Sequence, residues 1–239
     1  MRHAAPPILL ALALVAAGCG GGGKSATTTT AVTTVALPTT TTSGDPGKDA
    51  VDALVAAARA GNTDAMWGML STSSRERLGP TLGEFKSGAG GELADSLAGF
   101  RDYKVIVSER ITPEFGVVAI DGSRDGKRAV YAVPLRLVGE RWKLELGSPV
   151  KVKPLGPLPD AVEPVVGQIG VAVGGPAGVG TAVMYLDGRA ENPKVYTTAT
   201  NSTLVSNFDP ALAPGRHTVV VFATDDRNAA ADAWAFTVK

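Results

Sequence analysis

Cysteine is almost missing from this chain: Cys19 is the only one among 239 residues, so no intramolecular disulfide can staple any part of it. Histidine is nearly as scarce, with His3 close to the start and His217 far downstream. That inventory excludes a His-rich metal cluster, a serine–histidine–carboxylate triad and a cysteine–histidine pair in the body of the chain. Aromatic residues make up 5% of the sequence. Side chains this large and this few, among them Trp67, Phe85, Phe100, Tyr103, Tyr131 and Trp142, are spent first on burial. Net charge is absent too, because 23 basic residues face 23 acidic ones, and no broad positive footprint for nucleic acid results. The apolar run from Ile8 to Ala17 stops short of the roughly 20 residues that a bilayer core requires of a helix.

What is present at the start is an export signal: Arg2, the apolar run Ile8 to Ala17, then small Ala17 and Gly18 before Cys19. Leu12-Ala13-Leu14-Val15-Ala16-Ala17-Gly18-Cys19 resembles a bacterial lipoprotein lipobox, although Ala16 stands where leucine is commonest. The resemblance implies a signal peptide over residues 1–18, cleavage before Cys19 and lipidation of that cysteine. It also implies export, with the chain held by its lipid on the outer face of the cytoplasmic membrane or in the cell envelope. Residues 19–44 then read as the lipidated cysteine and a Gly/Thr-rich tether with too few large apolar groups to fold. As a flexible coil it would span roughly 25 to 30 Å. Gly18 to Ser25, G-C-G-G-G-G-K-S, matches the phosphate-binding P-loop formally, and Gly18, Gly20 and Gly23 fit G-x-G-x-x-G. Neither pattern has the preceding strand and following helix that a phosphate cradle requires.

Residues 45–152 change from helical to strand patterning. Asp45-Pro46 is a capping carboxylate followed by a first-turn proline, and Val51, Leu54, Val55 and Ala58 recur at helical spacing up to Gly61-Asn62. A second helix is predicted from Thr63 or Asp64 with Met66, Trp67 and Leu70, and Thr81-Leu82-Gly83-Glu84 has the form of a capping box. Gly88-Ala89-Gly90-Gly91 is predicted to break the chain before a short helix near Glu92 to Ala98. Strands are predicted over Tyr103 to Ile111, Phe115 to Asp121, Lys127 to Val138 and Arg141 to Val150. This order, and above all Ala129-Val130-Tyr131-Ala132-Val133-Pro134-Leu135-Arg136-Leu137 followed by Gly139-Glu140-Arg141-Trp142-Lys143-Leu144, resembles the NTF2-like superfamily. The resemblance implies an α+β cone, helices packed on a curved antiparallel sheet, with a cavity beneath them. Trp67, Tyr103 and Tyr131 are its candidate ligand-binding residues. A tyrosine with Asp102 or Asp121 would be the means of acid–base catalysis in such a cavity, but both aspartates fall at predicted strand ends, where turn and capping duties account for them. Ser148-Pro149-Val150-Lys151 spells S-x-x-K without the helix that a serine–lysine dyad needs. Glu140 belongs to a turn, and Glu145, alternating with Leu144 and Leu146, is expected on a solvated strand face.

Lys151 to Pro159, rich in proline and glycine, is predicted to be a linker, and residues 153–239 are almost entirely strand pattern. Leu212-Ala213-Pro214-Gly215-Arg216-His217-Thr218-Val219-Val220-Val221 with Trp234-Ala235-Phe236-Thr237-Val238 resembles bacterial Ig-like domains, which implies an all-β sandwich, His217 being a strand-start residue. Asp225, Asp226 and Asn228 offer oxygens for calcium, but one turn falls short of the six to eight ligands the ion takes. The expectation is therefore an anchored extracytoplasmic lipoprotein without cofactor or metal. Its partners are the membrane through the lipid and a cell-envelope protein or cell-wall component, and it acts as a non-catalytic binding or adhesion module. The alternative is an enzyme using the NTF2-like cavity.

Overall fold

The computed structural model describes residues 46–239 apart from Asp226; Cys19, the signal segment, the tether and the P-loop-like run lie outside the described residues. Helices come first: α1 (Pro46–Arg59), α2 (Thr63–Met69), α3 (Thr72–Leu78), α4 (Leu82–Ser87) and α5 (Ala89–Ala98). Along α1, Val51, Leu54, Val55 and Ala58 lie about one turn apart and are all buried, while Asp49 in the first turn and Arg59 in the last oppose the helix dipole. The Asn62 side chain caps α2, and Thr81 and Glu84 form a reciprocal capping box on α4.

One helix was not predicted, and one helical expectation is corrected. Helix α3 escapes apolar periodicity because Leu78 is its one apolar residue; polar bonds hold it instead, beginning with the Ser71 hydroxyl that caps the Ser74 amide at 3.1 Å. The glycines expected to break the chain form the first turn of α5. A Cβ at Gly90 would stand 2.7 Å from the Phe85 carbonyl oxygen, so glycine is what lets α5 crowd against α4.

Four strands follow, β1 (Phe100–Arg110), β2 (Phe115–Arg124), β3 (Lys127–Val138) and β4 (Arg141–Leu144), as an antiparallel meander in that spatial order. β4 stops at Leu144 rather than the predicted Val150, because the chain leaves the sheet to bond the serines around α3: Ser71 N–H donates to Leu144 O, and Leu146 N–H to Ser74 Oγ. Strand parity divides β2 between two environments. Val118 and Ile120 join a core shared with α1, α2, α4 and α5, packed with Leu54, Met66, Phe85, Leu97 and Phe100. Phe115, Val117 and Ala119 face the other way.

The second half is a two-sheet sandwich. Its strands are β5 (Lys151–Gly156), β6 (Val162–Glu163), β7 (Gln168–Gly174), β8 (Thr181–Leu186), β9 (Arg189–Ala190), β10 (Lys194–Thr197), β11 (Asn201–Asn207), β12 (Gly215–Thr224) and β13 (Ala229–Val238). One sheet runs β10-β11-β7-β5 and the other β6-β13-β12-β8-β9. Ile169, Val171, Val173 and Leu204 meet Met184, Val219, Val221, Trp234 and Phe236 between them. The predicted linker is corrected here: Lys151–Gly156 is a strand, antiparallel to β7 with Pro154 opposite Val171. It lies at a sheet edge, where a proline removes no needed donor.

A third core joins the halves. Val107, Phe115, Val117, Ala119 and Ala132 of the meander pack against Tyr185, Val220, Phe222 and Ala229 of the sandwich, with Ala231 and Ala233 beside them. The alanines of β13 keep that surface low, so the two sheets approach closely. Phe115, Tyr185 and Phe222 are fully buried there, and burying a side chain of this size contributes about 1.5–3 kcal/mol each. The molecule is thus a stack: helices, meander, β6-β13-β12-β8-β9 and β10-β11-β7-β5.

Candidate functional site

The residues predicted to line a cavity all border the helix–meander core, and each has its own partner. Trp67 donates from Nε1 to Gly79 O at 3.2 Å, with the Arg75 guanidinium 4.1 Å above its ring. Tyr131 packs beside Phe100, ring centres 6.2 Å apart, and burial pushes its phenol up to about 12. The Tyr103 hydroxyl donates to Asp52 Oδ1 at 2.8 Å. Desolvation and that carboxylate raise Tyr103 to about 12. Asp52 is held below its ordinary value: burial raises it, but hydrogen bonds from Lys48 and Tyr103 outweigh that. Asp52 is thereby kept ionised and Tyr103 protonated, which poises neither for proton transfer near neutral pH. Asp102 sits exposed in β1 with φ of 47°.

The buried polar groups converge instead on the seam between meander and sandwich. Glu145 is fully buried, contrary to the solvated face expected of it. Its Oε2 accepts from Ser71 Oγ at 2.6 Å, both oxygens accept from Ser73 Oγ at 3.0 Å, and Arg77 Nη2 donates to Oε1 at 2.5 Å. Arg136 Nε stands 3.0 Å from Oε2 but out of hydrogen-bond alignment, so that contact is electrostatic alone. The same arginines reach across the seam: Arg77 Nη1 donates to Asn228 Oδ1 at 2.6 Å, and Arg136 Nη2 to the Arg227 carbonyl. Asp225 braces that turn from within, its Oδ1 accepting from the amides of Arg227 and Asn228. The Asn228 side-chain amide donates to both carboxylate oxygens of Asp225, and among the described residues there is no group of three or more His, Cys, Asp or Glu suited to a metal.

A second polar cluster closes the other end of the seam. Along β2 the inward row Phe115, Val117, Ala119 ends in Asp121, and along β12 the facing row Phe222, Val220, Thr218 ends in Arg216. Asp121 is therefore not the strand-end residue predicted but a buried one, 5% exposed, and its Oδ2 accepts from Arg216 Nη1 at 3.0 Å and Arg128 Nη2 at 2.7 Å. Lys104 lies directly across the β1–β2 ladder from it. Two atoms of this cluster are buried without partners: Asp121 Oδ1 and Arg216 Nη2. Around it opens a cleft of about 540 Å³ lined by Lys104, Asp121, Arg128, Asp187, Arg216 and Thr218. Arg128 and Arg216 also border a smaller recess of about 190 Å³ with Asp160 and Asp232, where burial raises Asp232.

Asp187, on the sandwich side of the cleft, is engaged by its own half. Oδ1 accepts from the Thr218 amide at 2.8 Å, and Oδ2 lies 2.8 Å from His217 Nδ1, whose Nε2 faces the Ala213 carbonyl at 2.8 Å. The turn that carries Asp187 touches β1 through Gly188, where a Cβ would meet Ile106 O at 2.6 Å. The signal for this seam was the pair of apolar runs Phe115 to Ile120 and Val219 to Ala223, each too continuous for a strand with one wet face.

No family model matches this chain, and no curated protein matches it. Among solved structures it is similar to a chimeric titin Z1Z2 functionalized with a KLER exogenous peptide from decorin, over 57% of this chain and 72% of that one, at 13% identity and a TM-score of 0.28.

Proposed function

We propose that the chain is an exported lipoprotein, anchored through lipid on Cys19, whose body is a non-catalytic binding module facing the cell envelope. Residues 19–44 act as the spacer and the stacked body as the recognition unit. The observation that carries the binding reading is the distribution of polarity: the space between helices and meander is filled by apolar side chains, while the unpartnered buried polar atoms and open clefts lie at the seam. Concave places where a few polar groups converge are where ligands are oriented.

We read the helical half, residues 45–152, as an NTF2-like cone whose cavity is packed shut, and residues 153–239 as an Ig-like sandwich. The strand orders support the second assignment: β5, β7, β11 and β10 stand as A, B, E and D, and β8, β12 and β13 as C, F and G, the two sheets of an immunoglobulin-type sandwich. The enzymatic alternative rests on the Tyr103–Asp52 contact, whose protonation states are set against acid–base exchange near neutrality.

Metabolic labelling with palmitate tests the anchor: wild-type chain takes up label and Cys19→Ala does not. Equal labelling of both would remove the lipoprotein reading. Photo-crosslinking from the seam of the anchored chain tests the module, with a discrete cross-linked envelope species expected and unchanged chain alone as the contrary result.

A further inference from the structure

We propose that the outer face of the β10-β11-β7-β5 sheet binds an acidic polysaccharide, with Lys151, Lys153 and Lys194 meeting its anionic groups and the exposed Tyr196 ring stacking on a sugar. The inference rests on the binding-module reading and gives that module a second face, away from the seam, with a ligand class. The four strands of this sheet contain three lysines and no Asp or Glu, in a chain whose charges otherwise balance. Strand parity puts the three on one surface. Val152, Ile169, Val171, Val173 and Leu204 turn inward to the sandwich core, so the residues between them turn outward. Tyr196 and Lys194 pair with the outward Thr203 and Val205 and share their face. All three lysines are exposed, and among the described residues none of them is in an ion pair. Lys151 donates only to the Ser148 carbonyl, at 3.2 Å. Glu191, the acid nearest to β10 in the chain, bonds Ser206 on the inward row.

Register gives this surface a shape. Tyr196, Thr203, Ala172 and Lys153 are successive cross-strand partners, a row of roughly 14 Å at the usual strand spacing. The glycines of β7 flank Ala172 on this face, and both are covered: a Cβ at Gly170 would stand 3.4 Å from Leu155 Cβ, and one at Gly174 would stand 2.3 Å from Asn201 Oδ1. Ala172 is therefore a low floor between two banks. The cations stand around it, Lys153 at the end of the row, Lys151 opposite Gly174 and Lys194 opposite Val205. At the far end Tyr196 is 53% exposed, a flat apolar ring with a hydroxyl at its rim. Such a row suits linked sugar rings that carry carboxylates or phosphates, the lysines supplying charge-assisted bonds and the ring a stacking surface. An acidic peptide added to the β10 edge would be held through its backbone and would leave the row unused. The tether joins the body at Pro46 in the helical layer, and this sheet is the last layer of the stack. Face and attachment lie at opposite ends, which favours an envelope polymer over the bilayer as the occupant.

The test titrates the full chain, in non-ionic detergent micelles, into fluorescently labelled polygalacturonate, its methyl ester and polyglutamate, and follows anisotropy. Saturable binding to polygalacturonate is expected, weakening with added salt, with no binding to the uncharged ester. Lys153→Gln is expected to weaken it about two- to fivefold, and the triple change of Lys151, Lys153 and Lys194 to Gln to abolish it. Lys127→Gln, an exposed lysine of the meander, is expected to leave it unchanged. Tyr196→Ala is expected to weaken polygalacturonate about three- to tenfold and Tyr196→Phe to restore it, each with the unfolding midpoint in place. Absence of saturation overturns the proposal, and so does wild-type affinity in the triple variant. Equal binding of the ester or of polyglutamate, or a Tyr196→Ala response equal to wild type, overturns the sugar assignment and with it the proposal. If the anchored chain cross-links an envelope species from the seam while polygalacturonate fails, this inference falls and the binding-module reading stands.

Discussion

At the scale of single residues the seam is governed by two carboxylates that cannot tolerate losing their partners. Glu145, with no exposed surface, is surrounded by two serine hydroxyls and two partly buried arginines; removing its charge leaves Arg77 and Arg136 without their counter-charge. Glu145→Ala is expected to cost about 3–5 kcal/mol, read as a lowered urea midpoint, whereas Glu140→Ala, in an exposed turn, is expected to stay within about 0.5 kcal/mol. An equal, small effect from both would mean that the network is not formed. His217 gives a pH prediction of fixed sign. Burial lowers its affinity for a proton, but the Ala213 carbonyl and the Asp187 carboxylate more than compensate, and the folded value lies above the ordinary 6.5. The protonated form therefore favours the folded state: its contribution is complete below about 6.5 and is lost as pH rises through the raised folded value. The stability difference between wild type and His217→Gln is expected to be largest in mild acid and to close with rising pH; a difference that grows with pH would refute the pairing. Neither carboxylate was legible in the sequence. A charged residue alternating with leucines on a strand signals solvent when one face of the sheet is wet, and the strand around Asp121 has no wet face where the sandwich covers it.

Elements show the same limit in another form. Where side-chain periodicity or cap chemistry decides the structure, the sequence carried it: α1, the capping box of α4, and the bounds of β3 and β8 follow from spacing and turn residues. Where a neighbour decides, it did not. Helix α3 is made by serines bonding across to the end of β4, β5 is a proline-containing edge that reads as linker until β7 is set beside it, and α5 starts among glycines because α4 lies against it. Adjacent glycines of α5 separate propensity from packing. Gly91 has open space where a Cβ would be, so Gly91→Ala is expected to stabilise by up to about 1 kcal/mol. Gly90→Ala places a methyl 2.7 Å from Phe85 O and 2.8 Å from the Phe85 ring, and is expected to destabilise in spite of alanine's helix preference. Thermal unfolding of the two variants should move in opposite directions. If both rise, α4 and α5 are not packed as closely as the structure has them.

At the scale of the molecule, the third core packs the helical half against the sandwich, and the two are expected to unfold as one cooperative unit. Each sheet offers the other a row of apolar side chains that would be an aggregation-prone face if left bare, and the polar rows at either end, Glu145 with Arg77 and Arg136 on one side and Asp121 with Arg216 on the other, fix how the sheets register. A third link, Tyr185 Oη donating to Glu109 at 3.0 Å, crosses the same interface, and burial together with that carboxylate raises the tyrosine. If the contact is as continuous as this, unfolding of either half exposes the other's face and the two must melt together. The tryptophans allow this to be measured, because Trp67 and Trp142 border the helical core and Trp234 lies in the sandwich core. A chain retaining only Trp142 and one retaining only Trp234, with phenylalanine elsewhere, are expected to report coincident urea transitions. Phe222→Ala is expected to lower both midpoints together, by about 3–5 kcal/mol of stability, since the side chain it removes lies between the halves. Separate transitions for the two probes, or a Phe222→Ala effect confined to Trp234, would show the sandwich and the helical half folding independently and would leave the seam too loose to hold a ligand.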